Sequence, residues 1–81
     1  DHNLQLSVAK NCVGQIVNGN TSIMGLMLES NLFAGNQPMQ TSRADLTYGV
    51  SVTDACIDWE NTETCLRESN ASLKPTLSRR K

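Results

Sequence analysis

Ser22-Ile23-Met24-Gly25-Leu26-Met27-Leu28-Glu29 is the stretch on which the fold turns. From Ile23 to Leu28 it is one short apolar run with no alternation. Such a run reads as a strand covered on both faces, the habit of parallel sheets flanked by helices. A buried helix segment is the competing reading, but the bounding turn residues and the shortness favour a strand over residues 22–29. A doubly buried strand cannot stand alone, because the backbone at both its edges needs partners. The chain therefore belongs in a larger α/β sheet, or it borrows a second chain.

The flanking segments fit that architecture. Upstream, Leu6, Ala9, Val13 and Ile16 recur at helical spacing, with Val8, Cys12 and Val17 widening the stripe. Asn18-Gly19 supplies a stop, so a helix is expected over about residues 3–18. Downstream, residues 30–52 show no sustained period and read as a long loop, extended at most from Val50 to Val52. Connections of that length are usually functional. A last helix is expected within residues 54–73, from the heptad Trp59, Leu66 and Leu73 with Thr62 and Cys65 between. Asp54, Asp58, Glu60 and Glu63 suit the positive end of its dipole, and Pro75 is expected to end it. Residues 74–81, closing on Arg79-Arg80-Lys81, read as a solvated tail.

Length and composition restrict the function. At 81 residues, a core confined to this chain is marginal. A net charge of −1 and a pI near 5.7 speak against an electrostatic nucleic-acid binder. The longest apolar run is far shorter than the ~20 residues that span a bilayer, so no membrane partner is expected. No signal peptide is visible, although the chain opens on Asp1-His2 and not on methionine. Cys12, Cys56 and Cys65 are odd in number and have no CxxC spacing, which favours a reducing, cytoplasmic setting over a disulfide framework or zinc ribbon.

Few motifs carry chemistry. GxGxxG, GxxxxGK[ST], HExxH and GxSxG are all missing. His2 is the only histidine and reads as a solvated terminal residue. Asn20-Thr-Ser22 and Asn70-Ala-Ser72 match the glycosylation tripeptide, but nothing else points to secretion. Glu29 is more informative. A carboxylate directly after an apolar strand is costly unless paired or metal-bound, and α/β sheets bind ligands at the carboxyl ends of their strands. Asp54 lies across the long loop from it. Two carboxylates returned to one mouth suit a divalent cation such as Mn²⁺ or Fe²⁺. A helix-capping Asp54 and a salt-bridged Glu29 are the alternatives.

The blocks Ile23-Met-Gly-Leu-Met-Leu-Glu-Ser-Asn31, Gly35-Asn-Gln37 and Tyr48-Gly-Val-Ser-Val-Thr-Asp-Ala-Cys-Ile-Asp-Trp-Glu60 resemble the carboxyl-terminal end of class I 3-deoxy-D-arabino-heptulosonate 7-phosphate (DAHP) synthases. The resemblance covers roughly residues 8–68, and its wording is most similar to the tyrosine-sensitive isozyme. It implies a (β/α)₈ barrel of which this chain is the terminal α-β-loop-α portion: residues 3–18 as the seventh outer helix, 22–29 as the eighth strand, 54–73 as the eighth helix. It implies a site for one divalent ion (Mn²⁺, Fe²⁺, Co²⁺ or Zn²⁺) held by Cys, His, Glu and Asp. Glu29 matches the glutamate ligand and Asp54 the aspartate ligand, with a further role for Asp54 in orienting the aldose. Cys56 matches a cysteine near the metal mouth that does not bind the ion. His2, Cys12 and Cys65 match no ligand, so the histidine and cysteine ligands, like the phosphate-binding cations, are not in this chain. The implied substrates are phosphoenolpyruvate and erythrose 4-phosphate, and the intact enzyme is implied to be a homo-oligomer. On this reading the chain is a carboxyl-terminal fragment without activity of its own. The competing class is a small non-catalytic α/β module acting through oligomerisation.

Overall fold

The computed structural model describes residues 2–79; Asp1, Arg80 and Lys81 lie outside them, and with them most of the basic tail expected to be solvated. Two α-helices, α1 (Leu4–Val17) and α2 (Trp59–Ser78), pack against each other, and a 3₁₀ turn at Arg43–Asp45 interrupts the connection. The buried apolar side chains are Ala9, Val13 and Ile16 of α1, Cys65 of α2, and Cys56 and Ile57 just before α2.

The burial of α1 follows its +4, +3 spacing. Val8 and Val17, expected to widen the apolar stripe, are instead 60% and 44% exposed. Its end is built by the backbone. Asn20 N–H donates to the Gln15 carbonyl at 2.9 Å and Gly19 N–H to that of Ile16 at 3.1 Å. This pair of bonds needs a left-handed residue between helix and exit, and Gly19 supplies it at φ 108°.

Residues 22–29 depart from the expectation. No strand forms among the described residues, and backbone pairing is confined to isolated bridges at Ser30–Ile57, Gly35–Cys56 and Asn36–Ser51. Nor is the apolar run covered on both faces: Met24 is 91% and Met27 84% exposed. The reason is the lack of a partner. A ladder needs a second extended segment alongside, and the non-helical segments at 30–37 and 51–57 bond to each other. The run instead forms one wall of an open groove of about 500 Å³, with Ile16, Cys65, Leu73 and Leu77 on the helical side. The chain exposes 6097 Å². A compact globule of its mass, 8.9 kDa, would expose about 4,800 Å².

Helix α2 also differs from its expected bounds. It starts at Trp59 because Asp58 caps it, Oδ1 accepting from the Asn61 N–H at 2.8 Å. Pro75 does not end it; the helix runs to Ser78, with Pro75 inside the last turn. A proline there forfeits the bond to the Ala71 carbonyl and its ring crowds that carbonyl. So close to the end the turn is still completed, with Ser78 Oγ donating to the Lys74 carbonyl at 2.7 Å and Arg79 N–H to that of Thr76 at 3.2 Å. Residues 74–78 are thus helix and not tail. The face that packs is centred on Thr62 and Cys65, whereas Trp59 and Leu66 of the expected heptad are 52% and 54% exposed. Thr62 can be buried because its hydroxyl donates to the Asp58 carbonyl at 2.7 Å and also meets the Ser30 hydroxyl at 2.5 Å.

The connection at 30–52 is not structureless. Gln37 ties it across: Nε2 donates to the carbonyls of Thr47 (2.8 Å) and Val50 (2.9 Å), and Oε1 accepts from the Thr47 N–H (2.9 Å). Phe33 N–H donates to the Gly49 carbonyl at 2.9 Å. Gly49 sits at φ 79°, and a Cβ there would lie 2.9 Å from both Leu32 Cβ and Phe33 Cδ2, so this close crossing requires glycine.

Candidate functional site

Glu29 is half-buried, and its peptide is held from two sides. The Gln5 carboxamide, from the first turn of α1, donates Nε2 to the Glu29 carbonyl at 3.0 Å and accepts the Glu29 N–H on Oε1 at 2.6 Å. The same carbonyl accepts from the Ile57 N–H at 3.0 Å, and Asn31 N–H donates to the Ile57 carbonyl at 3.0 Å. Residues 29–31 therefore run parallel to residues around Ile57, the most buried large side chain, at 1% exposure.

Asp54 lies three residues before Ile57 and is exposed. It is not the cap of α2, which is Asp58. Three residues span at most ~11 Å, and ladder neighbours lie about 5 Å apart. Those lengths bound how far the Asp54 backbone can stray from that of Glu29. Gly35 and Cys56 exchange two backbone bonds, at 2.8 and 3.0 Å. The buried Cys56 thiol donates to the Asp54 main-chain carbonyl at 3.5 Å, so Cys56 acts on the backbone of Asp54.

Two carboxylates are oxygen donors of the kind that hard and borderline divalent cations accept. Among the described residues, no group of three or more His, Cys, Asp or Glu side chains could hold a metal ion. Two carboxylates are by themselves fewer donors than a protein metal site uses, so among the described residues this pair is at most part of such a site. His2 is half-buried rather than solvated. Cys12 on α1 and Cys65 in the interface between the helices are free thiols. Neither Glu29 nor Asp54 lines the two larger grooves along the helices.

The residues that secure this arrangement were not all visible in the sequence. Gln5 looks like any polar residue of a first helical turn. Asn36 and Gln37 stood out only through the Gly35-Asn-Gln37 block, with no indication of what their amides bind.

The family model described as the DAHP synthetase I family matches residues 1–67. A protein of Enterobacter agglomerans named phospho-2-dehydro-3-deoxyheptonate aldolase, Tyr-sensitive, is 52% identical over 80 residues, which are 99% of this chain and 38% of that protein. The Tyr-sensitive aldolase of Escherichia coli K12 is 50% identical, over 99% of this chain and 22% of that protein. The Phe-sensitive aldolase of the same strain is 41% identical over 70 residues. Among solved structures, a phospho-2-dehydro-3-deoxyheptonate aldolase from Francisella tularensis SCHU S4 superposes with a TM-score of 0.78 at 42% identity, covering 91% of this chain and 21% of that one. The chain thus spans between about a fifth and two fifths of the length of these relatives.

Proposed function

The chain belongs to the DAHP synthetase I family, and on that premise we propose that it is the carboxyl-terminal part of a DAHP synthase and carries two ligands of its metal site. In the complete (β/α)₈ barrel, α1 is the seventh outer helix, residues 22–29 the eighth strand and α2 the eighth helix. The apolar run exposed here then gains ladder partners on both edges. The relatives are named phospho-2-dehydro-3-deoxyheptonate aldolases, and the reaction proposed is the one the DAHP synthase resemblance implies: phosphoenolpyruvate and erythrose 4-phosphate, with water, give the seven-carbon phospho-sugar acid and inorganic phosphate. Carbon 3 of phosphoenolpyruvate bonds to the aldehyde carbon, water adds at carbon 2, and phosphate leaves.

In this reading Glu29 and Asp54 hold a divalent cation, Mn²⁺, Fe²⁺, Co²⁺ or Zn²⁺, with a histidine and a cysteine from the rest of the barrel. Such an ion, when bound, supplies Lewis-acid polarisation of a substrate oxygen. The work of this chain is to aim the two carboxylates. Gln5 and Ile57 immobilise the Glu29 peptide, and the Gly35–Cys56 pair immobilises the segment after Asp54. Asp54, solvent-facing at the mouth, also orients the aldose. The 81-residue chain alone is inactive, because the remaining ligands and the phosphate-binding cations are not in it. The three free thiols favour a reducing, cytoplasmic setting, and the family resemblance implies a homo-oligomer.

The observation that carries the site is the parallel bridge at Ser30–Ile57, which sets the residue after Glu29 against the segment following Asp54. The test is Asp54→Asn in the full-length enzyme, where the amide keeps the shape and removes the charge. Metal content and turnover should fall together, turnover by orders of magnitude. Wild-type values for both would eliminate the two-carboxylate site.

A further inference from the structure

Asp54 sits at the crest of an arch whose feet are held by one tripeptide. Gln37 N–H donates to the Ser51 carbonyl at 2.8 Å, and Gly35 exchanges two backbone bonds with Cys56. Between those feet, Asn36 Nδ2 donates to the Thr53 carbonyl at 3.0 Å. That carbonyl belongs to the peptide plane that ends in the Asp54 N–H. Because the plane is rigid, holding its oxygen restrains the Asp54 N–H and Cα, and the direction in which the side chain leaves the backbone is then set once the following plane is held too. The next peptide plane is fixed as well, since the Asp54 carbonyl accepts from the Cys56 thiol. Asp54 is therefore gripped on both of its peptide planes, while its carboxylate stays exposed.

We propose that Asn36 is a positioning residue for Asp54: its amide orients the Thr53–Asp54 peptide and so aims the Asp54 carboxylate at the cation shared with Glu29. This rests on the two-carboxylate reading given above. The side chain is well suited to the task. Asn36 is exposed, so its bond to Thr53 is a local orienting contact and not part of the core. It is also the one contact of the arch between residues 35–37 and 51–56 made by a side chain of that tripeptide, so it can be removed without touching the backbone pairs.

The experiment measures Mn²⁺ affinity of the full-length synthase by the paramagnetic resonance signal of the free ion, with the metal-free melting midpoint as a companion. Asn36→Ala should weaken Mn²⁺ binding roughly tenfold, the lower end of what loss of a ligand-orienting partner causes, with the metal-free midpoint unchanged. Asn36→Gln, which keeps the amide donor on a longer stem, should recover most of the loss. Unchanged Mn²⁺ affinity in Asn36→Ala would overturn the inference. So would a loss of affinity that tracks a lower midpoint and is not recovered by Asn36→Gln, since Asn36 would then be a structural turn residue. Asp54→Asn, measured alongside, separates the levels. If it abolishes Mn²⁺ binding while Asn36→Ala does not alter it, only the positioning role fails. If it leaves Mn²⁺ binding intact, the two-carboxylate site fails and takes the positioning role with it.

Discussion

The carboxamide of Gln5 pairs with both backbone groups of Glu29, donating to its carbonyl at 3.0 Å and accepting its N–H at 2.6 Å. A side-chain amide presents the same donor and acceptor as a peptide group. Gln5 thus does for Glu29 what a neighbouring strand would do, and it couples the start of α1 to the residue that ends the apolar run.

That pairing predicts the effect of removing it. In Gln5→Ala the Glu29 N–H loses its partner at a half-buried position, at a cost of about 1 kcal/mol. Amide hydrogen exchange should speed up at Glu29 and stay as it was at Val13, which α1 protects by itself. Equal exchange at Glu29 in both proteins would mean that the pairing does not form in solution.

Two glycines should respond in opposite directions. Gly49→Ala meets a positive φ and a 2.9 Å approach to Leu32 Cβ, so it should destabilise by about 1–3 kcal/mol. Gly14→Ala adds a methyl group with nothing within 4 Å, inside a helix. It should stabilise by about 0.5–1 kcal/mol. Urea midpoints of the two variants should fall on either side of the parent.

The start of α2 gives a third test. Asp58→Ala removes the bond to Asn61 N–H and should cost about 1 kcal/mol, with lower helicity by circular dichroism. Asp54→Ala should leave helicity unchanged, because Asp54 stands ahead of the helix and caps nothing. The reverse pattern would move the helix start back to Asp54.

The exposed apolar run predicts association. Met24 and Met27 project from a segment without ladder partners, and such segments recruit other chains. Sedimentation of the 81-residue chain should show dimers or larger species. The double variant Met24→Lys, Met27→Lys should shift it toward monomer. A parent chain that sediments as a monomer would show that the groove beside α2 closes over the run in solution.

Much of the helical architecture was legible from local chemistry. Ala9, Val13 and Ile16 at +4 and +3, followed by Asn18-Gly19, specify α1 and its end within the segment itself, because spacing and a left-handed stop act over a few residues. Asp58 caps α2 by the same short-range logic, although several acids ahead of Trp59 made the starting point ambiguous. The block from Tyr48 to Glu60 carried the family resemblance, and Glu29 and Asp54 could be singled out by residue type and position. What only the tertiary structure decided is non-local. Residues 22–29 have the composition of a strand, yet a strand exists only where a neighbour supplies a run of hydrogen bonds, and among the described residues the bonds from 22–29 to distant segments fall at its last residue, Glu29. The carboxamides of Gln5, Asn36 and Gln37 bond across 24, 17, 10 and 13 residues to backbone groups. A side-chain amide has no periodicity and no preferred partner in sequence. Its role is therefore fixed only when folding brings a peptide group within 3 Å of it.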